Sequence, residues 1–136
     1  RHLLHARGLT AEFEVDSAGT SGYHDGDPPD ARTCAVARER GVALTSTSRR
    51  ITPRDLVHFD HIIVMDHDNR ADVQALARRA GVDADIRLLR DFDAEADSPE
   101  VPDPYYEGTA GFERVHDIVE RACAGLLDHL MQERSR

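Results

Sequence analysis

Apolar residues fall in short blocks along the chain, and their period changes from block to block. Leu3, Leu4 and Ala6 supply one side of a helical segment that Gly8 can stop. Phe13 and Val15 alternate with Glu12, Glu14 and Asp16, which predicts a short strand over Glu12 to Asp16. Positions 19–29 are rich in Gly, Asp and Pro and read as a loop. Asp30 can cap a helix through about Arg40, with Gly41 as its stop. Thr52-Pro53 opens another short helix, with Thr as cap and Pro at the first helical position.

His61 to Met65 carries the unbroken run Ile62-Ile63-Val64, which predicts a strand buried on both faces. Asp66 follows, then a polar helix to about Arg79 that Gly81 closes. Asp85 to Leu89 predicts the last strand, and positions 91–106 form an acidic, Pro-punctuated loop. Phe112, Val115, Val119, Ala122, Leu126 and Leu130 then recur on one face of a helix from about Gly111 to Glu133. Strands separated by helices imply an α/β domain with a parallel sheet. Ligands of such sheets sit beyond the carboxyl ends of the strands, where Asp16-Ser17 and Asp66 fall. No repeat or low-complexity linker divides positions 1–136, so one domain is expected.

Composition narrows the function classes. The 136 residues are 40% apolar, enough for one real core. Apolar runs of only a few residues predict no membrane span, and nothing at the start resembles a signal peptide. A cytoplasmic protein is the default. The net charge of −9 argues against nucleic acid or an anionic membrane as partner. A small anionic substrate remains compatible, because a few N–H groups and one Arg can set a local field. All 17 basic residues are Arg. Cys34 and Cys123 are too few for a disulfide framework, which fits a reducing compartment.

Three constellations could carry chemistry. In DPYY, Asp103 lies between Pro102 and Pro104, whose rings limit where its carboxylate can swing. Tyr105 and Tyr106 beside it offer flat walls for an aromatic group, although Asp-Pro is also an ordinary turn. Cys34 and Arg40 satisfy Cys-x5-Arg formally. With 17 Arg in 136 residues, however, each Cys has about a one-in-eight chance of that spacing. The intervening Ala-Val-Ala-Arg-Glu lacks Gly and lies in a predicted helix, where six residues separate side chains by about 120°. This pair is therefore not expected to be catalytic, and Cys123 reads as core. His58, His61 and His67 lie near Asp60, Asp66 and Asp68, but without tight ligand spacing they read as solvated positions, with no metal.

Several motifs occur together, in order and at compatible spacing: VDSAGTSGYHDGDPPD at 15–30, RRIT at 49–52, FDHIIVMDHDN at 59–69, LLRDFD at 88–93 and VPDPYYEG at 101–108. In these the chain resembles the low-molecular-weight protein tyrosine phosphatases, along essentially its whole length. The resemblance implies a four-stranded parallel sheet flanked by helices, and no cofactor. It makes Asp103 the general acid that protonates the leaving tyrosyl oxygen, then the base for the water that hydrolyses a phosphocysteine. It makes Ser17 and Asp66 braces of the nucleophile loop. Tyr23 and Tyr105 become walls of the phosphotyrosine slot, with Tyr106 beside them. The partners implied are phosphotyrosine proteins or small aryl phosphates. Asp93, in the same acidic loop but outside DPYY, is expected to cost little turnover when changed to Asn.

The family's first strand and Cys-x5-Arg-Ser loop would lie ahead of Arg1, so the domain is expected to be N-terminally incomplete, inactive alone and marginally folded. That loop cradles phosphate on backbone N–H groups, clamps it with Arg and lowers the thiol pKa. Ser46 also stands where many relatives carry a bracing His. The alternative is a catalytically dead pseudophosphatase that acts as a binding module. An arsenate reductase of the same fold would need two further central cysteines, and none lies between Leu76 and Asp91. A phospho-accepting receiver module built on Asp66 would need a Lys, which the chain lacks.

Overall fold

In the computed structural model, which describes residues 1–21, 26–104 and 108–135, helices begin where the sequence supplies caps. The described residues fall into two units, Arg1–Arg50 and Ile51–Arg136.

In the first unit, α1 (His2–Ala6) ends just before Gly8, whose φ of 68° suits a residue without Cβ. Helix α2 (Ala31–Glu39) starts where the Asp30 carboxylate accepts the Arg32 amide at 2.8 Å, and it buries Val36 and Ala37. The strand predicted over Glu12 to Asp16 is not there. A 3-10 turn occupies Thr10–Glu12, the backbone is extended at Phe13, and positions 13–16 form no assigned strand. Alternation sets the local conformation, but a strand needs a neighbour to take its N–H and C=O groups. Instead the Val15 carbonyl accepts from the Arg1 guanidinium, at 3.2 Å from Nε and 2.5 Å from Nη2. A parallel bridge joins Gly19 to Arg50, where the Gly19 amide donates to the Arg49 carbonyl at 2.7 Å.

The second unit opens with α3 (Pro53–His58), where the Thr52 amide donates to the Asp55 carboxylate at 2.8 Å in a capping box. Strand β1 (Ile62–Val64), helix α4 (His67–Ala80) and strand β2 (Ile86–Leu88) follow as a βαβ unit. The strands pair in parallel, Ile62 opposite Ile86 and Val64 opposite Leu88. Ile62 and Val64 pack with Leu56, Val73, Ala77 and Leu88. Ile63 points the other way, onto Leu89, Val101, Ile118 and Ala122. The continuous apolar run thus serves a strand covered on both sides, as expected. Among the described residues the sheet consists of this one parallel pair.

A 3-10 turn at Leu89–Phe92 leaves β2, and α5 (Thr109–Arg134) packs on it. The approach is so close that a Cβ at Gly125 would overlap the Phe92 carbonyl oxygen. Among the described residues no helix is long and apolar enough to cross a membrane.

Candidate active site

Asp66 stands two residues beyond the carboxyl end of β1, and one Oδ accepts the Asn69 amide at 2.7 Å. Its observed work is therefore to cap α4, satisfying an N–H that the helix cannot pair itself. Asp103 lines the same cleft, of about 380 Å³, together with Arg90, Glu100, Val101 and Arg114. The cleft opens where the carboxyl-end rule for parallel sheets puts a site.

The segment leading to Asp103 is tied down at several points. The Val101 amide donates to the Met65 carbonyl at 2.8 Å, which continues the end of β1. The Glu100 carboxylate accepts the His67 amide at 2.7 Å, at the positive start of α4. The Glu100 carbonyl accepts from Nη1 of Arg90 at 3.0 Å, while Nη2 reaches the Asp97 carboxylate at 2.9 Å. Beneath the loop, Asp93 takes both arms of Arg121, at 2.6 Å from Nε and 2.9 Å from Nη2. Its side chain is 0% exposed. The Arg121 hydrogen bonds hold the Asp93 carboxyl below the usual carboxylate range, against the opposing effect of burial. Asp93 thus joins α5 to the acidic loop.

Ser17 lies in the first unit, in a cleft of about 310 Å³ with Gly19, Asp27, Ser46 and Arg49. Its amide donates to the Asp16 carboxylate at 2.8 Å, and Arg49 reaches the other Asp16 oxygen at 3.1 Å. The Ser17 amide, with Arg49 adding to it, lowers the Asp16 pKa from its ordinary value. Asp66 and Asp103 are brought to one cleft, whereas Ser17 belongs to the other unit. Tyr23, Tyr105 and Tyr106 lie outside the described residues.

Neither cysteine has a nucleophile's surroundings. Cys34 sits in the first turn of α2, its amide donating to the Asp30 carbonyl at 3.0 Å and its thiol facing the Pro29 carbonyl at 3.8 Å. Arg40 is the C-cap of that helix, so the amides between them belong to its ladder and cannot cradle phosphate. Cys123 packs beside the Leu89 cluster, and burial pushes its thiol pKa up, away from thiolate.

Of His58, His61 and His67, the second departs from the solvated reading. His61 bridges elements, with Nδ1 at 2.9 Å from the Asp85 carboxylate and Nε2 at 3.6 Å from Glu133 on α5. Among the described residues no three His, Cys, Asp or Glu side chains are grouped to hold a metal. Arg90 and Arg121, and the structural tie that Asp93 makes to them, were not singled out by sequence pattern. The i, i+3 spacing of Arg90 and Asp93 gives a faint signal, but nothing local announces Arg121.

Known proteins place these observations. Over 98% of its length the chain superposes on a protein tyrosine phosphatase from Entamoeba histolytica, covering 85% of that chain at 36% identity and a TM-score of 0.88. The fold is that of protein tyrosine phosphatases of this α/β type. The family model described as low molecular weight phosphotyrosine protein phosphatase matches residues 1–136. A Synechocystis protein named for the same family is 40% identical over 126 residues, 93% of this chain and 80% of the relative. YfkJ of Bacillus subtilis, a low molecular weight protein-tyrosine-phosphatase, is 33% identical over 135 residues, 98% of this chain and 85% of the relative. The chain belongs to the low molecular weight phosphotyrosine protein phosphatase family.

Proposed function

We propose that this chain forms the body of an enzyme that hydrolyses phosphotyrosine through a phosphocysteine intermediate, with Asp103 as general acid and then general base. The supporting observation is the tethering of the Asp103 segment at the carboxyl end of β1, through Val101 and Glu100. A tyrosyl oxygen leaves as a poor phenolate unless a carboxylic acid gives it a proton as the P–O bond breaks. The resulting Asp103 carboxylate then takes a proton from the water that attacks the phosphocysteine, and the thiolate leaves.

The thiolate and the phosphate-clamping Arg come from a Cys-x5-Arg-Ser loop that these 136 residues do not contain. The placement of Cys34 in a helix and the raised pKa of Cys123 support that view. Asp66 and Ser17 brace that loop, and Tyr23, Tyr105 and Tyr106 wall the slot. Substrates are phosphotyrosine proteins or small aryl phosphates. The same unsuitability of both thiols favours a second reading for the isolated chain, a catalytically silent binding module.

The test joins the chain to a family-type N-terminal segment of roughly 20 residues that carries strand, Cys-x5-Arg-Ser loop and helix start. Aryl phosphate turnover should appear in the joined protein and be absent from the chain alone. Turnover by the chain alone that disappears in Cys34→Ser would sink the assignment of an external nucleophile.

A further inference from the structure

The proposed chemistry leaves one buried charge without a task. The Arg90 side chain is 3% exposed, although it springs from a 3-10 turn at the edge of β2. Its Nη1 donates to the Glu100 carbonyl and its Nη2 to Asp97. Its Nε lies 3.6 Å from the Asp93 carboxylate, and has no hydrogen-bond partner among the described residues. Taking a guanidinium out of water is costly, and a turn does not require one.

The bond to Glu100 is where Arg90 meets the reaction. Glu100 precedes Asp103 by three residues, and little freedom survives between them. The Val101 amide is held by Met65, and Pro102 and Pro104 restrict the backbone on each side of Asp103. Arg90 and Asp103 also line one cleft. We propose that Arg90 is a positioning residue for Asp103: by gripping the Glu100 carbonyl it fixes the 100–103 segment so that the carboxyl group meets the leaving oxygen. This rests on the reading of Asp103 as the general acid.

Arg90→Lys is the informative variant, because it keeps a cation opposite Asp93 and so protects the fold. A single ammonium cannot reproduce the fork that reaches both Glu100 and Asp97. In the joined protein, amide exchange at Val101 should quicken about tenfold or more while Val73 and Ala77 of α4 keep their rates. An unchanged Val101 overturns the proposal.

In the joined protein, kcat for a phosphate ester of a basic phenol should fall about ten- to a hundredfold, the usual cost of a small misplacement, with KM unchanged. Combined with Asp103→Asn, Arg90→Lys should add almost nothing. Slowing that is equal for good and poor leaving groups, or that adds in full to Asp103→Asn, overturns the positioning role. Should Asp103→Asn alone leave turnover untouched, the acid assignment itself fails and takes this proposal with it; the single variant tells that failure from the other.

Discussion

Replacing Asp93 by Asn removes a charge from beneath the acidic loop while keeping the side chain's size. Arg121 is 37% exposed and can turn its guanidinium to water, so its half of the network counts for little. Arg90 has no such escape, because its remaining anion, Asp97, is 89% exposed and lies at the surface. Removing one partner of a buried pair costs about 3–5 kcal/mol. The Arg90 Nε to Asp93 separation of 3.6 Å is longer than a hydrogen bond, and the Glu100 carbonyl still serves Arg90. Both facts put the loss below that range, at about 2–3 kcal/mol. An unfolding entropy of about 2.1 cal/mol/K per residue gives roughly 0.29 kcal/mol/K for this length, so Tm should fall by about 7–10 °C.

The pH dependence has a definite sign. The folded-state pKa of Asp93 is depressed, chiefly by the Arg121 hydrogen bonds. Such a carboxylate stabilises the fold above its unfolded pKa of about 3.9, and the contribution is lost as pH falls through the lower folded value. Thermal melts followed by circular dichroism should show the full gap between parent and Asp93→Asn at pH 7, closing below about pH 4. A Tm within about 2 °C of the parent at pH 7, or a gap that persists undiminished at about pH 2, refutes the reasoning.

Gly125→Ala should destabilise the chain by about 1–3 kcal/mol, because overlap with the Phe92 carbonyl outweighs the roughly 1 kcal/mol that Ala gains in a helix. A denaturant midpoint that stays put or rises would show that α5 and the 3-10 turn are not in such close contact. Asp66→Ala should cost about 1 kcal/mol through the lost bond to the Asn69 amide, and Asp66→Ser, another capping residue, should recover most of it. Equal stability of parent and Asp66→Ala in urea would contradict the capping role.

What was legible in the sequence is what local chemistry decides. Asp30, Thr52-Pro53, Asp66 and Gly81 mark the helix boundaries where they are found, because caps act on backbone groups a few residues away. The run Ile62-Ile63-Val64 reported a strand covered on both faces for the same reason. Glu12 to Asp16 misled, since its period is right but pairing depends on a distant neighbour. The cleft shared by Asp66 and Asp103 was half legible: the strand-end rule found Asp66, whereas Asp103 needed the family resemblance. The tie of Arg121 to Asp93 was invisible and that of Arg90 only faintly marked, and the bridge from His61 to Asp85 and Glu133 was invisible too. Asp93 and Arg121 are 28 positions apart and His61 and Asp85 are 24 apart; charged residues read as solvated until the fold closes over such spans, and no periodicity encodes that closure.

The central claim is that Asp103 hands a proton to the departing phenol. The direct measurement is kcat for a series of aryl phosphates of rising phenol pKa, compared between the joined protein and its Asp103→Asn variant. The variant should be slower by about 10²–10⁴-fold for basic phenols, and the penalty should shrink steadily toward acidic ones. A penalty that is absent, or that is the same for every leaving group, would mean that Asp103 is not the acid.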